Sequence, residues 1–527
     1  MGAIAFSNPR GGLGRGAVAV ALILLIASAS VGIYYLFQKG QGTGGAHPSG
    51  SSCVDPLGGA TLTETPQGAV ASYPAGDVVR TQLAPPTTIG GVTEYQLPTP
   101  IRAPNAPAVA PDGSVWFAET SVAGLAHFYP ANRTLVEYPW PYDYPAPPAP
   151  GGLCGPKTSV WSVVLWNGEV WATDSGGNQL VALDPSTGMY TSVKVPTNGS
   201  FPYTLTPGPG DTLWFTELFA GKIGELSQNG TIREFPVPGG TSAYPSQIVF
   251  ANSTSGYFST VGDLEPQGGG VYSFNVGHYS PQLLGGQHLV DPTSLSLGSG
   301  ALWVALHGTS SVAFYNFTTD AWSYFPTTSV FWYGSPVTTL PYFVSASGAS
   351  VWTNEHYGNR MARITPANGS LVEYSESSLP TNANTIGNAL TFAVGGGRAW
   401  FVEQTGNVLG YADSAYSPGF YTSVSGNTTL VVHRGASATV DLVVHDTGHR
   451  GPLRLTFSDS ESYLSTPENL TFGVPSSSVS PALGGEATVP VTVSALQSLK
   501  PGEYYAILTA TDGLTFESSF IRIVVPA

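Results

Sequence analysis

A short alternating pattern of hydrophobic and polar residues repeats through the middle of the chain. Each repeat has an aliphatic strand, then a strand with an aromatic marker, a Gly-rich turn, a third strand and often an outer strand that ends near proline. The seven markers are Trp116, Trp171, Trp214, Tyr257, Trp303, Trp352 and Trp400. A period of roughly 40 to 50 residues with four short strands is typical of propeller blades. The pattern therefore predicts a seven-bladed β-propeller over residues 92–415.

The last repeat, at residues 388–414, contains only three predicted strands. Its missing outer strand has a counterpart near the other end of the repeat region. Residues 92–97 (VTEYQL) read like the outer strands of other repeats, such as residues 232–238 (IREFPVP). We expect residues 92–97 to pair with the last blade, because this closes the ring and removes an open sheet edge.

After the repeats the alternation continues with a different spacing. Seven short strands within residues 421–527 indicate an immunoglobulin-like β-sandwich, although the paired cysteines of antibody domains are missing. The predicted fold class is therefore all-β, a propeller followed by a sandwich, preceded by one N-terminal transmembrane helix.

That helix is predicted at residues 17–37, an uncharged apolar stretch long enough to cross a bilayer. Arg10 and Arg15 precede it and Lys39 follows it, which weakly favours a cytoplasmic N-terminus at residues 1–16. We therefore expect a single-pass anchor in the cell membrane, an extracellular linker and extension at residues 38–91, and an extracellular location for the rest. A cleaved signal peptide is the alternative, and it also exports the chain.

Two further features agree with export. The chain has two cysteines, and we expect Cys53 and Cys154 to form a disulfide outside the cell, with two unpaired thiols as the alternative. Glycosylation sequons recur along the chain and predict a glycosylated surface. The sequons begin at Asn132, Asn198, Asn229, Asn252, Asn316, Asn368, Asn427 and Asn469.

Charge narrows the choice of partners. Only 10% of the 527 residues are charged, and 18 basic against 33 acidic residues give a net charge of −15. An electrostatic nucleic-acid binder is therefore excluded. Because few carboxylates take up few protons on acidification, we also expect the stability to change little with pH.

The fullest repeat carries the clearest resemblance. Residues 213–238 contain Trp-Phe-Thr-Glu, then Lys-Ile-Gly, then Ile-x-Glu-Phe-Pro. With the other repeats of residues 92–415, they resemble the virginiamycin B lyase (streptogramin lyase) family of seven-bladed propellers. The resemblance implies metal-assisted elimination that opens a cyclic peptide antibiotic, with a histidine base and a magnesium ion near the central funnel.

The same resemblance locates the residues of the funnel. The family's essential histidines follow the proline that opens the innermost strand of the last two blades, and the matching residues here are Tyr342 and Leu390. Elimination needs a base whose pKa lies near the working pH, and Leu390 cannot serve as one. We therefore expect a binding protein that lacks the catalytic histidines.

The equivalent position in each blade supplies the candidate ligand-binding residues. Aromatic faces beside hydroxyl and amide groups suit a sugar or a peptide loop, whereas the alternative is that these side chains simply plug the channel. The candidates are Asn105, Trp161, Tyr203, Ser246, Thr293 and Tyr342.

Acidic residues end the second strand of five blades. Their repetition favours a structural role, in which their carboxylates accept hydrogen bonds from turn amides within each blade. They are Glu119, Asp174, Glu217, Glu355 and Glu403. His307 and His356 break the repeat, and together with Glu355 they are the candidate ligands for magnesium or another divalent metal.

The sequence thus favours a membrane-anchored scaffold of the cell envelope that binds a protein or carbohydrate partner. A metal-dependent lyase or lactonase-type enzyme of the virginiamycin B lyase family is the alternative. A subunit of a surface assembly is the second alternative.

Overall fold

The computed structural model describes most of the chain beyond residue 60. The described residues are 61–64, 69–72, 78–98, 103–120, 124–141, 160–262, 268–332, 335–367, 369–376, 389–459 and 470–527. They contain β-strands and three short 3-10 helices, at Gly240–Ser242, Leu284–Gly286 and His307–Thr309. No helix in these ranges is long and apolar enough to cross a membrane. The predicted helix at residues 17–37, Cys53 and Cys154 lie outside the described residues.

Seven antiparallel sheets of four principal strands follow one another along residues 92–413, as the repeat predicts. Five strands precede blade one in the chain: β1 (Thr61–Glu64), β2 (Ala69–Ser72), β3 (Val79–Gln82), β4 (Thr87–Ile89) and β5 (Val92–Gln96). Blade one contains β6 (Pro104–Val109), β7 (Val115–Glu119), β8 (Gly124–Tyr129) and β9 (Thr134–Pro139). Blade two contains β10 (Val163–Trp166), β11 (Glu169–Asp174), β12 (Gln179–Asp184) and β13 (Met189–Lys194).

The next four blades continue this order from the innermost to the outermost strand. Blade three contains β14 (Pro202–Gly208), β15 (Thr212–Glu217), β16 (Lys222–Leu226) and β17 (Ile232–Pro236). Blade four contains β18 (Pro245–Phe250), β19 (Ser255–Thr260), β20 (Gly270–Asn275) and β21 (Gln282–Leu283). Blade five contains β22 (Pro292–Gly298), β23 (Ala301–Leu306), β24 (Ser311–Asn316) and β25 (Ala321–Pro326). After the hairpin β26 (Ser329–Trp332) and β27 (Ser335–Thr338), blade six contains β28 (Pro341–Ser347), β29 (Ser350–Glu355), β30 (Arg360–Thr365) and β31 (Ser370–Ser375).

Blade seven confirms the predicted closure of the ring. Its own part of the chain supplies β32 (Phe392–Gly395), β33 (Arg398–Glu403) and β34 (Val408–Asp413), and β5 pairs with β34 as the outer strand. The innermost strands contact one another in ring order, and β32 of blade seven contacts β6 of blade one. The first and last blades are therefore joined, and the ring has no open seam.

The marker aromatic residues lie between blades. Trp214, Trp303, Trp352 and Trp400 are among the largest fully buried side chains. Trp214, for example, packs in one cluster with Ile248 and Phe258 of blade four. The markers therefore form the core between neighbouring sheets.

The N-terminal extension adds strands to the rim of the ring, which the sequence pattern did not reveal. β3 pairs with the outer strand of blade one, and β2 of the β1–β2 hairpin pairs with that of blade two. β4 pairs with β5 through a two-residue turn, in which Gly90 and Gly91 both have positive φ. Such a turn favours glycine at both positions. These additions cover sheet edges that would otherwise be exposed.

The strands after the propeller form two facing sheets. They are β35 (Phe420–Ser425), β36 (Thr429–Val431), β37 (Ser437–Asp446), β38 (Leu453–Asp459), β39 (Leu470–Gly473), β40 (Ser478–Val479), β41 (Glu486–Ala495), β42 (Gly502–Thr511) and β43 (Thr515–Val525). One sheet has the order β35-β37-β41-β39, and β43, β42, β38 and β40 line up in the other. A shared core that includes Leu442 and Val491 from the first sheet and Leu508 and Ile521 from the second lies between them.

The sandwich and the propeller share a continuous sheet. β43 pairs antiparallel with β31, the outer strand of blade six, so that Tyr374 lies opposite Thr515. The Arg360 guanidinium lies 3.7 Å from the centre of the Phe516 ring at this junction. The chain therefore covers the outer edge of blade six with its own last strand.

Candidate functional site

The first residues of the innermost strands build the centre of the propeller. In five blades this strand begins with proline, and the residue before the proline has a left-handed backbone with φ between 46° and 58°. These five residues are Ala103, Phe201, Tyr244, Asp291 and Leu340. The strand register shifts just after each of these prolines. A bulge of this kind re-aims the side chains beside it.

The hub residues are the seven side chains predicted at the funnel position. Each is at most 8% exposed, and the apolar and aromatic members pack in one cluster with Leu218 and Val261. The hub residues are Asn105, Trp161, Tyr203, Ser246, Thr293, Tyr342 and Leu390. The structure therefore brings the predicted funnel residues together in a packed plug.

Polar side chains among the hub residues form hydrogen bonds between the innermost strands of neighbouring blades. The Asn105 side-chain amide donates to the Val160 carbonyl at 3.0 Å. The Ser246 hydroxyl donates to the carbonyl of Thr293, and the Thr293 hydroxyl donates to the carbonyl of Tyr342 at 2.7 Å. These side chains thus satisfy buried backbone groups around the ring.

Two tyrosines connect blades three and six across the hub. The hydroxyl groups of Tyr203 and Tyr342 form a hydrogen bond with each other, and the Trp161 ring lies 5.4 Å from that of Tyr203. Burial raises the pKa of Tyr342 to about 12, and burial together with the nearby Tyr342 raises the pKa of Tyr203 well above its usual value. Both hydroxyls therefore stay protonated at neutral pH and act as hydrogen-bond partners.

Beside this pair lies a buried relay of Asp291, His307 and His356. His307 Nδ1 is 2.7 Å from Asp291 Oδ2, and its Nε2 is 3.1 Å from His356 Nε2. The two imidazole rings are stacked with their centres 5.3 Å apart, and Tyr342 contacts both of them edge-on. The Asp291 carboxylate orients His307 so that Nδ1 donates to it, which is the arrangement that prepares an imidazole to exchange a proton at Nε2.

The three predicted metal ligands separate into two groups. His307 and His356 meet at the hub, whereas Glu355 lies near Glu373 and Arg360 of its own blade. Burial and the nearby Glu373 raise the pKa of Glu355 well above its usual range. In the described part of the chain, no group of three or more His, Cys, Asp and Glu side chains is arranged to hold a metal ion.

The donor set at the hub does not fit the magnesium ion that the family resemblance implies. Magnesium prefers an octahedral set of oxygen ligands that includes carboxylates. The centre instead offers one carboxylate, that of Asp291, which already accepts from His307, together with two imidazoles and two protonated phenols that are hydrogen-bonded to each other. We therefore derive no chemistry through magnesium at this place.

The repeated acids take two different roles. Asp174 behaves as predicted, because its carboxylate accepts a hydrogen bond from the Gly177 amide at 2.9 Å. Glu217 instead lies near Glu234 of the outer strand, and burial and this neighbour raise its pKa to about 8. The sequence predicts that the repeated acids accept hydrogen bonds from turn amides, but in blade three Glu217 and Glu234 are a pair of neighbouring carboxyl groups. Lys222 partly balances that pair through a 2.9 Å contact with Glu234.

Asp291, which lies beside the hub residues, was not identified from the sequence. It directly precedes Pro292, where the corresponding residues of the other blades are Ala103, Phe201, Tyr244 and Leu340. An acid at this position is the signal that would have marked blade five. Its side chain accepts from His307 because the left-handed backbone holds it at the hub.

The comparisons with known proteins agree with the motifs of the blades. Residues 154–263 match the model of the Virginiamycin B lyase family. Virginiamycin B lyase from Nocardia farcinica is 28% identical over 142 residues, a match that covers 27% of this chain and 44% of that relative. The matched segment is thus less than half of the relative's length.

Two solved structures that match this chain come from Staphylococcus aureus. Selenomethionine-substituted virginiamycin B lyase is 20% identical, with 61% of this chain and 98% of that chain covered and a TM-score of 0.48. A catalytically inactive form of the enzyme with quinupristin is 19% identical, with the same coverage and a TM-score of 0.49. The propeller is therefore similar to the virginiamycin B lyase family, most clearly in the blades of residues 154–263.

Proposed function

We propose that this chain is a non-catalytic ligand-binding or partner-binding scaffold built on a lyase-like propeller. The observation that carries the proposal is the hydrogen bond between Tyr203 and Tyr342, which closes the hub. Tyr342 and Leu390 stand at the positions where the family resemblance implies histidines, and both are buried in the plug. His307 and His356 are at most 2% exposed, so a substrate could reach them only if the surrounding side chains moved.

The test is whether the chain opens a cyclic depsipeptide lactone. The full chain is incubated with the lactone in the presence and in the absence of magnesium. The products are separated by chromatography, and their masses are measured by mass spectrometry. Elimination would give a new peak of unchanged mass, whereas hydrolysis would add the mass of one water. We expect the lactone to remain intact, and a new product peak would refute the proposal.

The Asp291–His307 pair favours one second candidate, a lyase or lactonase-type enzyme. The 2.7 Å contact with Asp291 orients His307 as a general base would be oriented. If the lactone is opened, His307→Gln should abolish the reaction while Glu355→Gln, at a carboxyl group outside the relay, should leave it unchanged. Equal loss in both variants would argue against catalysis by the relay.

The proposal includes an extracellular location, with residues 17–37 as a membrane anchor. Of the six sequon asparagines in the described residues, Asn316 is half-buried and the other five support it because they are exposed: Asn132, Asn198, Asn229, Asn252 and Asn427. Asn368 and Asn469 lie outside the described residues. Glycan removal followed by mass spectrometry of the native protein tests this part. Unmodified asparagines together with a chain that fractionates away from membranes would contradict it.

We also propose that the two-sheet sandwich is immunoglobulin-like and acts as a second contact surface. Its two sheets face each other around a shared core, as in that fold class. The pairing of β43 with β31 fixes this surface beside blade six. A scaffold needs such fixed geometry to hold two partners at a constant separation.

A further inference from the structure

A cleft of about 460 Å³ lies at the seam where the first and last blades meet. It is lined by the β6–β7 turn and the β8–β9 turn of blade one, and by β5, β33 and β34 of blade seven. These segments lie at the opposite ends of the strands from Glu119 and Glu403, with which β7 and β33 end. The cleft is therefore on the other side of the disc from those strand ends. Its volume falls within the range of small-molecule sites.

Three tyrosines supply the walls of this cleft. Tyr95 is buried against the ring of Phe128, whose centre is 4.8 Å away. Tyr129 packs 4.1 Å from the ring of His127, and Tyr411 packs 4.7 Å from that of Trp400. The neighbouring rings fix the three phenols before any ligand arrives, which lowers the entropy lost on binding.

Charged groups of opposite sign come from the two blades. The Arg398 guanidinium of blade seven lies 4.3 Å from the centre of the Tyr411 ring. Among the described residues, no carboxylate lies within ion-pair distance of it. Asp112 of blade one faces the same cleft and is exposed. An arginine stacked on an aromatic ring retains its planar fork of donors for a carboxylate.

Asp112 is held in place by a short chain of hydrogen bonds. It accepts from the Ser114 amide at 3.0 Å and from the Ser114 hydroxyl at 2.6 Å. The Ser114 oxygen lies 2.7 Å from His127 Nε2. The bonds from Ser114 lower the pKa of Asp112, and burial lowers the pKa of His127 to about 4. At neutral pH His127 is therefore uncharged, and its Nε2–H donates to Ser114.

We propose that this seam cleft binds an acidic carbohydrate of one or two pyranose rings that carries a carboxylate. Arg398 pairs with the carboxylate, and Tyr95, Tyr129 and Tyr411 pack against the sugar. Asp112 accepts hydrogen bonds from its hydroxyl groups. Amphipathic rings beside polar groups of both signs match a molecule whose faces are apolar and whose edges are hydroxylated. The proposal rests on the binding function proposed above and specifies one ligand class for it.

The experiment measures calorimetric binding of a galacturonic acid dimer and of a neutral galactose disaccharide to the full chain. We expect one saturable site for the acidic dimer and at least about tenfold weaker binding of the neutral sugar, because a charge-assisted bidentate pair is lost. Arg398→Gln should weaken binding of the acidic dimer about tenfold. Arg233→Gln, which changes an arginine over Phe235 on blade three, is the matched control and should not change it.

A second variant keeps the test independent of folding. Asp112→Asn keeps an oxygen acceptor for the Ser114 amide and hydroxyl but removes the charge, so it should weaken binding of both sugars severalfold with little change in melting temperature. Absence of binding, or equal binding by wild type and Arg398→Gln, overturns the cleft proposal. If the lactone of the previous section also stays intact, the proposed scaffold function survives that failure, whereas opening of the lactone would refute the scaffold function itself.

Discussion

At the scale of single residues, the hub is held together by polar groups that satisfy one another. Tyr203 and Tyr342 are both buried, and each hydroxyl has the other as its hydrogen-bond partner across the ring. A buried hydroxyl without a partner costs about 1–3 kcal/mol, whereas removal of both partners is close to neutral. The hydrogen bond between them is therefore a coupling that can be measured.

We predict strongly non-additive effects for this pair. Tyr203→Phe and Tyr342→Phe should each lower the free energy of unfolding by about 1–2 kcal/mol. The double variant should lose less than either single variant, because no orphaned hydroxyl remains. Chemical denaturation of the four proteins measures the coupling. Additive losses would contradict the hydrogen bond.

The hub also shows how much of the centre of the propeller could be predicted from the sequence. Because the blades repeat with nearly constant spacing, the equivalent positions of different blades lie close together, and Trp161, Tyr203, Tyr342 and Leu390 pack in one cluster. That the hub residues bind a ligand stays a prediction. The partnership of His307 with Asp291 was not predicted, because the repeat locates Asp291 before Pro292 but does not show that its side chain meets His307. The predicted grouping of His307 and His356 with Glu355 failed because Glu355 lies within its own blade, near Glu373.

Several sequons have a local structural role as well. The side-chain oxygens of Asn132, Asn229, Asn252, Asn316 and Asn427 each accept from the amide two residues later, at 2.8 to 3.0 Å. Such Asx turns favour Asn followed by a residue and then Ser or Thr between strands. Turn formation therefore accounts for part of the recurrence that the sequence suggested was glycosylation.

At the scale of elements, the Lys-Ile-Gly motif has a steric cause. A Cβ on Gly224 would lie 2.1 Å from the Phe215 ring, which is fully buried on the neighbouring strand. The same arrangement recurs in blade seven, where a Cβ on Gly410 would lie 2.6 Å from Phe401. Glycine is thus required in the third strand because the second strand fills the space with an aromatic ring.

We predict that Gly224→Ala destabilises the propeller by about 1–3 kcal/mol, because the Phe215 ring must leave its position. Gly473→Ala is the matched control in a strand of the sandwich, where the nearest atom is 3.7 Å from the added Cβ. It should be neutral or slightly stabilising. Thermal unfolding of both variants measures the difference, and equal effects would show that the aromatic contact is unimportant.

The strands of the blades were predictable because hydrophobic and polar residues alternate along them. The closure of the ring was predictable because the last repeat lacks one strand, which β5 supplies. The pairing of other strands with the outer edges of blades one, two and six was not predicted. Their pairing joins parts of the chain far apart in sequence, and an alternating segment does not specify which edge it meets. The extension at residues 38–91 therefore had no assigned strands.

At the scale of the whole molecule, the sandwich and the propeller are joined by a strand pair and by the contact of Arg360 with Phe516. Arg360 is itself buried in an ion pair with Glu373, at 3.2 Å. The junction therefore combines backbone pairing with a charged contact on an aromatic face. It should couple the unfolding of the two parts.

We predict that Phe516→Ala weakens this coupling. Truncation of a buried phenylalanine costs about 3–5 kcal/mol, and at this position the loss falls on the junction. Amides of β31 should then exchange hydrogen faster, because their partner strand opens more often. Phe472→Ala, in the far sheet of the sandwich, is the control and should leave β31 protected. Unchanged protection in Phe516→Ala would disprove the coupling.

The pH dependence of stability also belongs to the whole molecule, and here the structure changes the expectation drawn from composition. The carboxyl groups are few, but burial raises the pKa of Glu217 and of Glu517 to about 8. Burial and neighbouring carboxyl groups raise the pKa of Glu355 and Glu376 well above the usual range. The folded state therefore holds protons that the unfolded chain releases above a pH of about 4.3.

The sign follows directly from this difference. Stability from these groups is fully present below a pH of about 4.3 and falls as the pH rises toward 8, by up to about 1.4 kcal/mol per pH unit for each group. Hydrogen bonds from Ser114 lower the pKa of Asp112, which acts in the opposite direction at more acidic pH.

We therefore predict maximal stability near a pH of about 4 to 5 rather than a flat profile. Urea denaturation from pH 3 to pH 8 measures it. Glu217→Gln, which imitates the protonated acid, should match wild type at pH 4.5 and exceed it at pH 8, whereas stability that rises between pH 5 and pH 8 would contradict the buried carboxyl groups as its cause.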